Sequence, residues 1–134
     1  RIAVLMQATS PLRRDEDLRD AIALYRKGKF ELVMSVVKAD RSILKYGVQK
    51  GGQFIPVSRP DYCFSNRQSL PETVRPNGAI YVFSPEAVLN NGGLSAESIG
   101  CVEMPEEYSV DIDTQADFQA AEQMLMHSAF REAG

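Results

Sequence analysis

The sequence predicts an α/β domain, and three observations carry that expectation. Apolar, β-rich runs at residues 2–6, 32–37 and 77–83 alternate with stretches whose apolar residues recur at helical spacing. Turn and cap residues fall between them: Ser10-Pro11, Gly28, Gly51-Gly52, Ser84-Pro85 and Gly92-Gly93. Over 134 residues, 44% apolar and 25% charged content suffices for one cored domain.

Residues 2–6 form an unbroken apolar run that reads as a strand buried on both faces, ending in the loop Gln7-Ala8-Thr9-Ser10-Pro11. Such a strand following directly on Arg1, with no initiator Met, is expected of a piece cut from something longer. Asp15 is the expected N-cap of a first helix, with Glu16 and Asp17 suited to its dipole. Leu18, Ala21, Ile22 and Tyr25 make its buried stripe, and Gly28 ends it. Residues 32–37 are the next strand, and the strand–helix–strand succession predicts a right-handed crossover and a parallel pair.

Residues 38–74 are looser. Strand-like pieces at 44–48 and 53–57 flank Lys50-Gly51-Gly52, which predicts a hairpin, and a polar arm follows, punctuated by Pro60 and Pro71. An insertion of this kind covers a site or contacts a partner. Residues 77–83 read as a strand entered through Arg75-Pro76. Ser84-Pro85-Glu86 starts a short helix that Asn90-Asn91-Gly92-Gly93 ends. Residues 99–104 are a further strand. Residues 109–114 lead into a last helix capped by Thr114 and Asp117, with Phe118, Ala121 and Leu125 facing inward.

Composition narrows the function. Fifteen Lys+Arg against 18 Asp+Glu give a net charge of −3, which argues against a nucleic-acid binder. No apolar run approaches the roughly 18 residues of a membrane span, and nothing resembles a signal peptide. Cys63 and Cys101 lie far apart, so neither a disulfide framework nor a Cys-x-x-Cys site is expected, as suits a reduced cytoplasmic protein. His127 is the single histidine, so a His-based nucleophilic device or a zinc centre would rest on it alone. Carboxylates, amides, hydroxyls and an added metal remain to do any chemistry.

Three stretches offer those groups. Gln7 to Arg13 follow the carboxyl end of a strand, where open α/β sheets bind ligands, and read either as a polar ligand loop or as a capped turn. Asp111 and Asp113, two apart, point to one side of an extended chain, a spacing suited to Mg²⁺; the alternative is a helix cap beside a surface residue. Asn77-Gly78 combines a bidentate amide with a residue that permits close approach, and Tyr81 lies four residues on. Arg67, Gln68 and Arg75 either meet a carboxylate or phosphate or form a solvated arm.

Taken in order, the segments Leu5-Met6-Gln7-Ala8-Thr9-Ser10-Pro11-Leu12-Arg13, Arg75-Pro76-Asn77-Gly78-Ala79-Ile80-Tyr81 and Ser109-Val110-Asp111-Ile112-Asp113-Thr114 resemble the later part of the CMP-sialic acid synthetase (acylneuraminate cytidylyltransferase) family. Ser35-Val36-Val37 and Arg67-Gln68-Ser69-Leu70-Pro71 fall where that family has similar residues. The resemblance implies a three-layer, Rossmann-like nucleotidyltransferase fold. It also implies coupling of CTP to a nonulosonic acid, with the sugar's anomeric hydroxyl attacking the α-phosphate and pyrophosphate leaving. It assigns Asp111 and Asp113 to Mg²⁺ and to catalysis, and Gln7, Asn77, Tyr81, Arg67 and Lys45 to the sugar acid. It makes residues 38–74 a homodimerisation arm.

Two departures are visible. Ala8 stands where the family commonly has Pro, and Asn90-Asn91-Gly92-Gly93-Leu94 lacks the aromatics some members carry there, which leaves room for sugars other than N-acetylneuraminate. The family's Gly/Arg/Lys-rich nucleotide loop does not occur in these residues, so the 134-residue chain alone is expected not to turn over CTP. A Kdo-type or other nonulosonate cytidylyltransferase, or a non-catalytic dimerisation or sugar-acid-binding module, are the competing readings.

Overall fold

The structure is a computed structural model that describes residues 1–133, with side chains through residue 127. Its elements in chain order are β1 (Ala3–Leu5), α1 (Asp15–Arg26), β2 (Leu32–Ala39), β3 (Gly47–Lys50), β4 (Gln53–Pro56), β5 (Thr73–Phe83), α2 (Pro85–Asn91), β6 (Ile99–Glu103) and α3 (Gln115–Ala133). They fall into two compact units: residues 1–37 with everything from 76 onward, and Lys38–Arg75. The class is α/β, as expected.

The larger unit is built on a four-stranded sheet of order β1-β5-β2-β6. Strands β2 and β6 run parallel, from Leu32↔Ile99 to Val36↔Glu103, whereas β1 is antiparallel to β5, from Ala3↔Phe83 to Leu5↔Tyr81. The sheet is therefore mixed. The expected pairing of the first two strands does not occur, because β5 lies between them. Nor is β1 buried on both faces: it is an edge strand, with Ile2, Leu5 and Met6 39–44% exposed. The interior strands are β5 and β2, where Ala79, Ile80, Val82, Val33, Val36 and Val37 are sealed from solvent. An apolar run specifies a strand but not its place in the sheet order.

Ala21 of α1 and Met104 join Val33, Ala79, Ile80 and Val82 in one core, with Leu18, Ile22, Tyr25, Phe30, Val102 and Tyr108 packed around it. The stripe of α1 thus faces the sheet as its spacing predicts. Its N-cap is Arg14 rather than Asp15. The reason is Asp17, whose buried carboxylate reaches back to accept from the Arg14 backbone N–H (3.0 Å) and from its guanidinium at 2.9 and 3.1 Å. The same guanidinium lies 4.5 Å above the Tyr108 ring. Gly28, at φ +77°, closes the helix.

Helix α2 starts after Ser84 with Pro85 in its first turn and ends on left-handed Gly92, as its sequence dictates. Helix α3 carries the expected reciprocal cap: Thr114 Oγ1 accepts from the Asp117 N–H, and Asp117 Oδ2 accepts from the Thr114 N–H, each at 3.1 Å. Its inward face is narrower than expected. Ala121 is buried, but Phe118 and Leu125 are about half exposed. His127 is exposed.

In the smaller unit, β3 and β4 form the expected antiparallel hairpin, closing at Lys50↔Gln53. Gly51 and Gly52 both take positive φ (58° and 77°), the backbone that a two-residue primed turn demands. Residues 44 and 45 are not in a strand but in a 3₁₀ turn, Arg41–Lys45. Asp40 explains this, because its carboxylate accepts from the Ser42 N–H at 3.0 Å and nucleates the turn. Two more 3₁₀ turns, Pro60–Phe64 and Arg67–Ser69, make up the polar arm. Cys63 is half-buried and Cys101 exposed, and both are free thiols. Among the described residues, no helix is long and apolar enough to cross a membrane.

Candidate functional site

The loop after β1 is organised by Arg13. Its Nη1 donates to the carbonyls of Gln7 (3.0 Å) and Ser10 (2.6 Å), and the Ser10 N–H donates to the Gln7 carbonyl at 3.1 Å. Arg13 thus acts through Nη1 as a staple inside the loop. The Thr9 carbonyl accepts from the Ile112 N–H at 2.8 Å. Two segments a hundred residues apart in the chain, Gln7 to Arg13 and Ser109 to Thr114, are thereby laid side by side.

Beside that loop, Gly78 interrupts β5 with φ +75°. A Cβ at this position would stand 2.5 Å from the Gln7 Oε1. The Gln7 carboxamide therefore rests directly on the glycine, in space a side chain would fill. Gln7 itself is exposed, and Tyr81, which pairs with Leu5, is half-buried.

Asn77 is buried, with every hydrogen-bonding group of its carboxamide engaged. Its Oδ1 accepts from the Ser35 hydroxyl (2.6 Å) and from the Ala79 N–H (3.1 Å). Its Nδ2 donates to the Ser109 Oγ (3.1 Å) and to the Met104 Sδ (3.3 Å). Ser35, equally buried, also accepts from the Ile80 N–H at 2.9 Å. The roles of Ser35, Ser109 and Met104 in holding Asn77 were not apparent from sequence spacing. The available signal was a hydroxyl in the middle of the apolar run Val33-Met34-Ser35-Val36-Val37.

Asp111 and Asp113 lie on irregular backbone rather than in a strand. Exposure still alternates along it, with both aspartates exposed and Ile112 partly covered, as for an extended chain. The α3 cap is made by Thr114 and Asp117, and the only part of Asp113 it uses is the N–H, which donates to Asp117 Oδ2 at 3.1 Å. Among the described residues, neither the Asp111 nor the Asp113 carboxylate takes a hydrogen bond or ion pair. The Asp117 carboxyl is held below the usual carboxylate range, chiefly by the Asp113 N–H and then by the Thr114 hydroxyl. No group of three or more acidic, His or Cys side chains among the described residues converges on a metal position. The Asp111 and Asp113 carboxylates are hard oxygen donors, the type that Mg²⁺ takes one or two of beside water and substrate phosphates.

The remaining sequence-derived candidates belong to the smaller unit. Arg67 is mostly exposed, and its Nε donates to Asp40 Oδ1 at 3.0 Å. Asp40 is held below its ordinary value, first by the Ser42 N–H and then by Arg67. Lys45 ends the Arg41–Lys45 turn and is half-buried. Gln7, Asn77, Gly78, Tyr81 and the 109–113 segment are brought together within the larger unit; Arg67 and Lys45 are both carried by the arm.

No family model matches the chain. Individual proteins do. It is 32% identical over 127 residues to N-acylneuraminate cytidylyltransferase A of Danio rerio, covering 93% of the chain and 29% of that protein. It is 28% identical over 123 residues to N-acylneuraminate cytidylyltransferase of Streptococcus agalactiae serotype III (strain NEM316), covering 86% and 28%. Post-translational flagellin modification protein B of Campylobacter coli is 24% identical over 120 residues, covering 90% of the chain and 51% of that protein. The chain spans less than a third of the length of the first two.

Proposed function

The chain belongs to the CMP-sialic acid synthetase family over the segment it spans, and from that premise we propose that it forms the sugar-acid and metal side of a cytidylyltransferase. The reaction couples CTP to a nonulosonic acid. The sugar's anomeric hydroxyl attacks the α-phosphate, the bond from that phosphorus to the bridging oxygen breaks, and pyrophosphate leaves with the CMP-sugar as product. The observation that carries this reading is the Thr9–Ile112 hydrogen bond, which sets an amide-bearing loop beside two uncommitted carboxylates.

In this reading Gln7 and Tyr81 face the sugar acid. Asn77, buried and fully engaged, fixes the strand that carries Tyr81 instead of touching the sugar as the family resemblance implies. Arg67 and Lys45 keep, on the arm, the role of cations for a sugar carboxylate that the resemblance gives them. Asp111 and Asp113 hold Mg²⁺, whose contribution when bound is charge neutralisation on the triphosphate. The chain's own part is orientation of the sugar hydroxyl by a stapled loop, with no protein nucleophile. The arm serves homodimerisation. In support of that, Tyr46, Val48, Phe54 and Val57 are each more than half exposed, a run of apolar surface on one small hairpin unit.

The aromatic-free Asn90-Asn91-Gly92-Gly93 turn leaves room for a nonulosonic acid other than N-acetylneuraminate. The deciding experiment assays CTP-dependent coupling by the complete natural polypeptide across a panel of nonulosonic acids. Product with at least one sugar is expected. A folded protein that couples none of them overturns the reading.

A further inference from the structure

The Ser35 hydroxyl has no access to solvent, so it cannot meet a substrate. Yet it satisfies two groups of β5 at once, donating to Asn77 Oδ1 (2.6 Å) and accepting from the Ile80 N–H (2.9 Å). Between these two attachment points sits Gly78, the left-handed residue on which the Gln7 carboxamide rests. Asn77 is pinned from the other side by Ser109, whose hydroxyl in turn donates to the Pro105 carbonyl at 3.0 Å. Ser109 stands two residues before Asp111.

We infer that Ser35 is a positioning residue of the sugar-acid site. Acting through the Asn77 carboxamide, with Ser109 as its second anchor, it fixes the Gly78 turn and hence the seat of Gln7. This inference rests on the cytidylyltransferase reading for its kinetic consequence but not for the geometry. A buried hydroxyl in an otherwise apolar strand is destabilising unless it is fully satisfied, and the partners it finds are the strand that carries the site rather than the core at large. Asn77 spends both lone pairs and both N–H groups inside the chain, so its orientation is set before any ligand arrives.

The test uses the complete natural polypeptide. Ser35→Ala is expected to raise the KM for the sugar acid roughly tenfold, leaving the KM for CTP within about twofold. Ser35→Thr, which keeps the hydroxyl, is expected to recover most of that loss. Equal changes in both KM values, or none in either, overturn the inference. Ser109→Ala is the second variant, should Ser35→Ala not fold, and is expected to act in the same direction. A readout independent of turnover is the pair of side-chain amide resonances of Asn77 and Gln7, the latter identified by its loss in Gln7→Glu. Both move in Ser35→Ala if Ser35 seats Gln7 through Asn77. A shift of Asn77 with Gln7 unmoved overturns the inference. If the unaltered protein couples no sugar to CTP, the family reading fails, and these resonances still decide the geometry.

Discussion

The Ile112 N–H donates to the Thr9 carbonyl at 2.8 Å, and this bond joins the strand-end loop to the segment that bears Asp111 and Asp113. Both partners are backbone groups, so the junction depends on neither side chain. Substitutions of Asp111 and Asp113, both exposed, therefore test chemistry more than folding, whereas Arg13, Asn77 and Ser109 also hold the local structure.

Asp113→Ala and Asp111→Ala follow from that separation. Neither carboxylate contributes to the α3 cap, which Thr114 and Asp117 complete. Mg²⁺-dependent transfer is expected to fall on the order of a hundredfold or more, Asp113→Ala having the larger effect. Thermal unfolding should stay close to the unaltered protein. Pyrophosphate release against Mg²⁺ concentration, alongside a melting curve, makes the comparison.

Gly78→Ala has one backbone penalty and one local displacement. The left-handed φ costs an L-residue about 1–2 kcal/mol, whereas the new Cβ meets only the tip of the exposed Gln7 side chain and moves it aside. Gly78→Asn tolerates that φ better but still displaces Gln7. Chemical denaturation should rank Gly78→Ala as the less stable of the two, while both lose sugar-acid affinity. Unchanged affinity in Gly78→Asn would remove Gln7 from the binding surface.

The acid response of α3 has a definite sign. Asp117 titrates below its unfolded value because the Asp113 and Thr114 N–H groups and the Thr114 hydroxyl favour the charged form. Its contribution is present above the unfolded carboxylate range, near pH 4, and is lost as pH falls through the lower folded value. Backbone amide resonances of Asp113 and Thr114 should therefore move on acidification below about pH 4. In Asp117→Asn the shifts tied to that titration should vanish.

Arg67 is paired with Asp40 on an exposed surface, where such pairs contribute little. Exchanging the Asp40 carboxylate for that of a sugar acid is consequently easy. Arg67→Ala is expected to raise the sugar-acid KM about tenfold, as for loss of a charge-assisted bond. It should also raise the Asp40 pKa only part of the way, since the Ser42 N–H remains its chief cause. Carboxyl-detected titration of Asp40 separates the two contributions.

Much of this architecture was legible because it is locally encoded. Thr114 with Asp117, Ser84-Pro85, Gly92 and the Gly51-Gly52 turn each specify their own backbone within four residues, and each is found where its chemistry requires. The order of strands is not local. Nothing in residues 2–6 distinguishes an edge from a centre, and nothing in Asn77 announces that its amide turns inward toward Ser35, 42 positions earlier. Arg14 displaced Asp15 as cap for a similar reason: the deciding group, Asp17, acts backward from the third position and is buried in doing so.

Strands β2 and β5, between which the whole Lys38–Arg75 unit is inserted, are immediate neighbours in the sheet. The chain leaves one and enters the other only after this excursion. The entropy of closing a longer excursion grows only with the logarithm of its length, so this insertion is close to a free variable in the fold. Its length can therefore change at little cost to the sheet, while exchange of its surface as a cassette would remove Arg67, Lys45 and the apolar hairpin face and leave the strand that carries Gly78 in its seat.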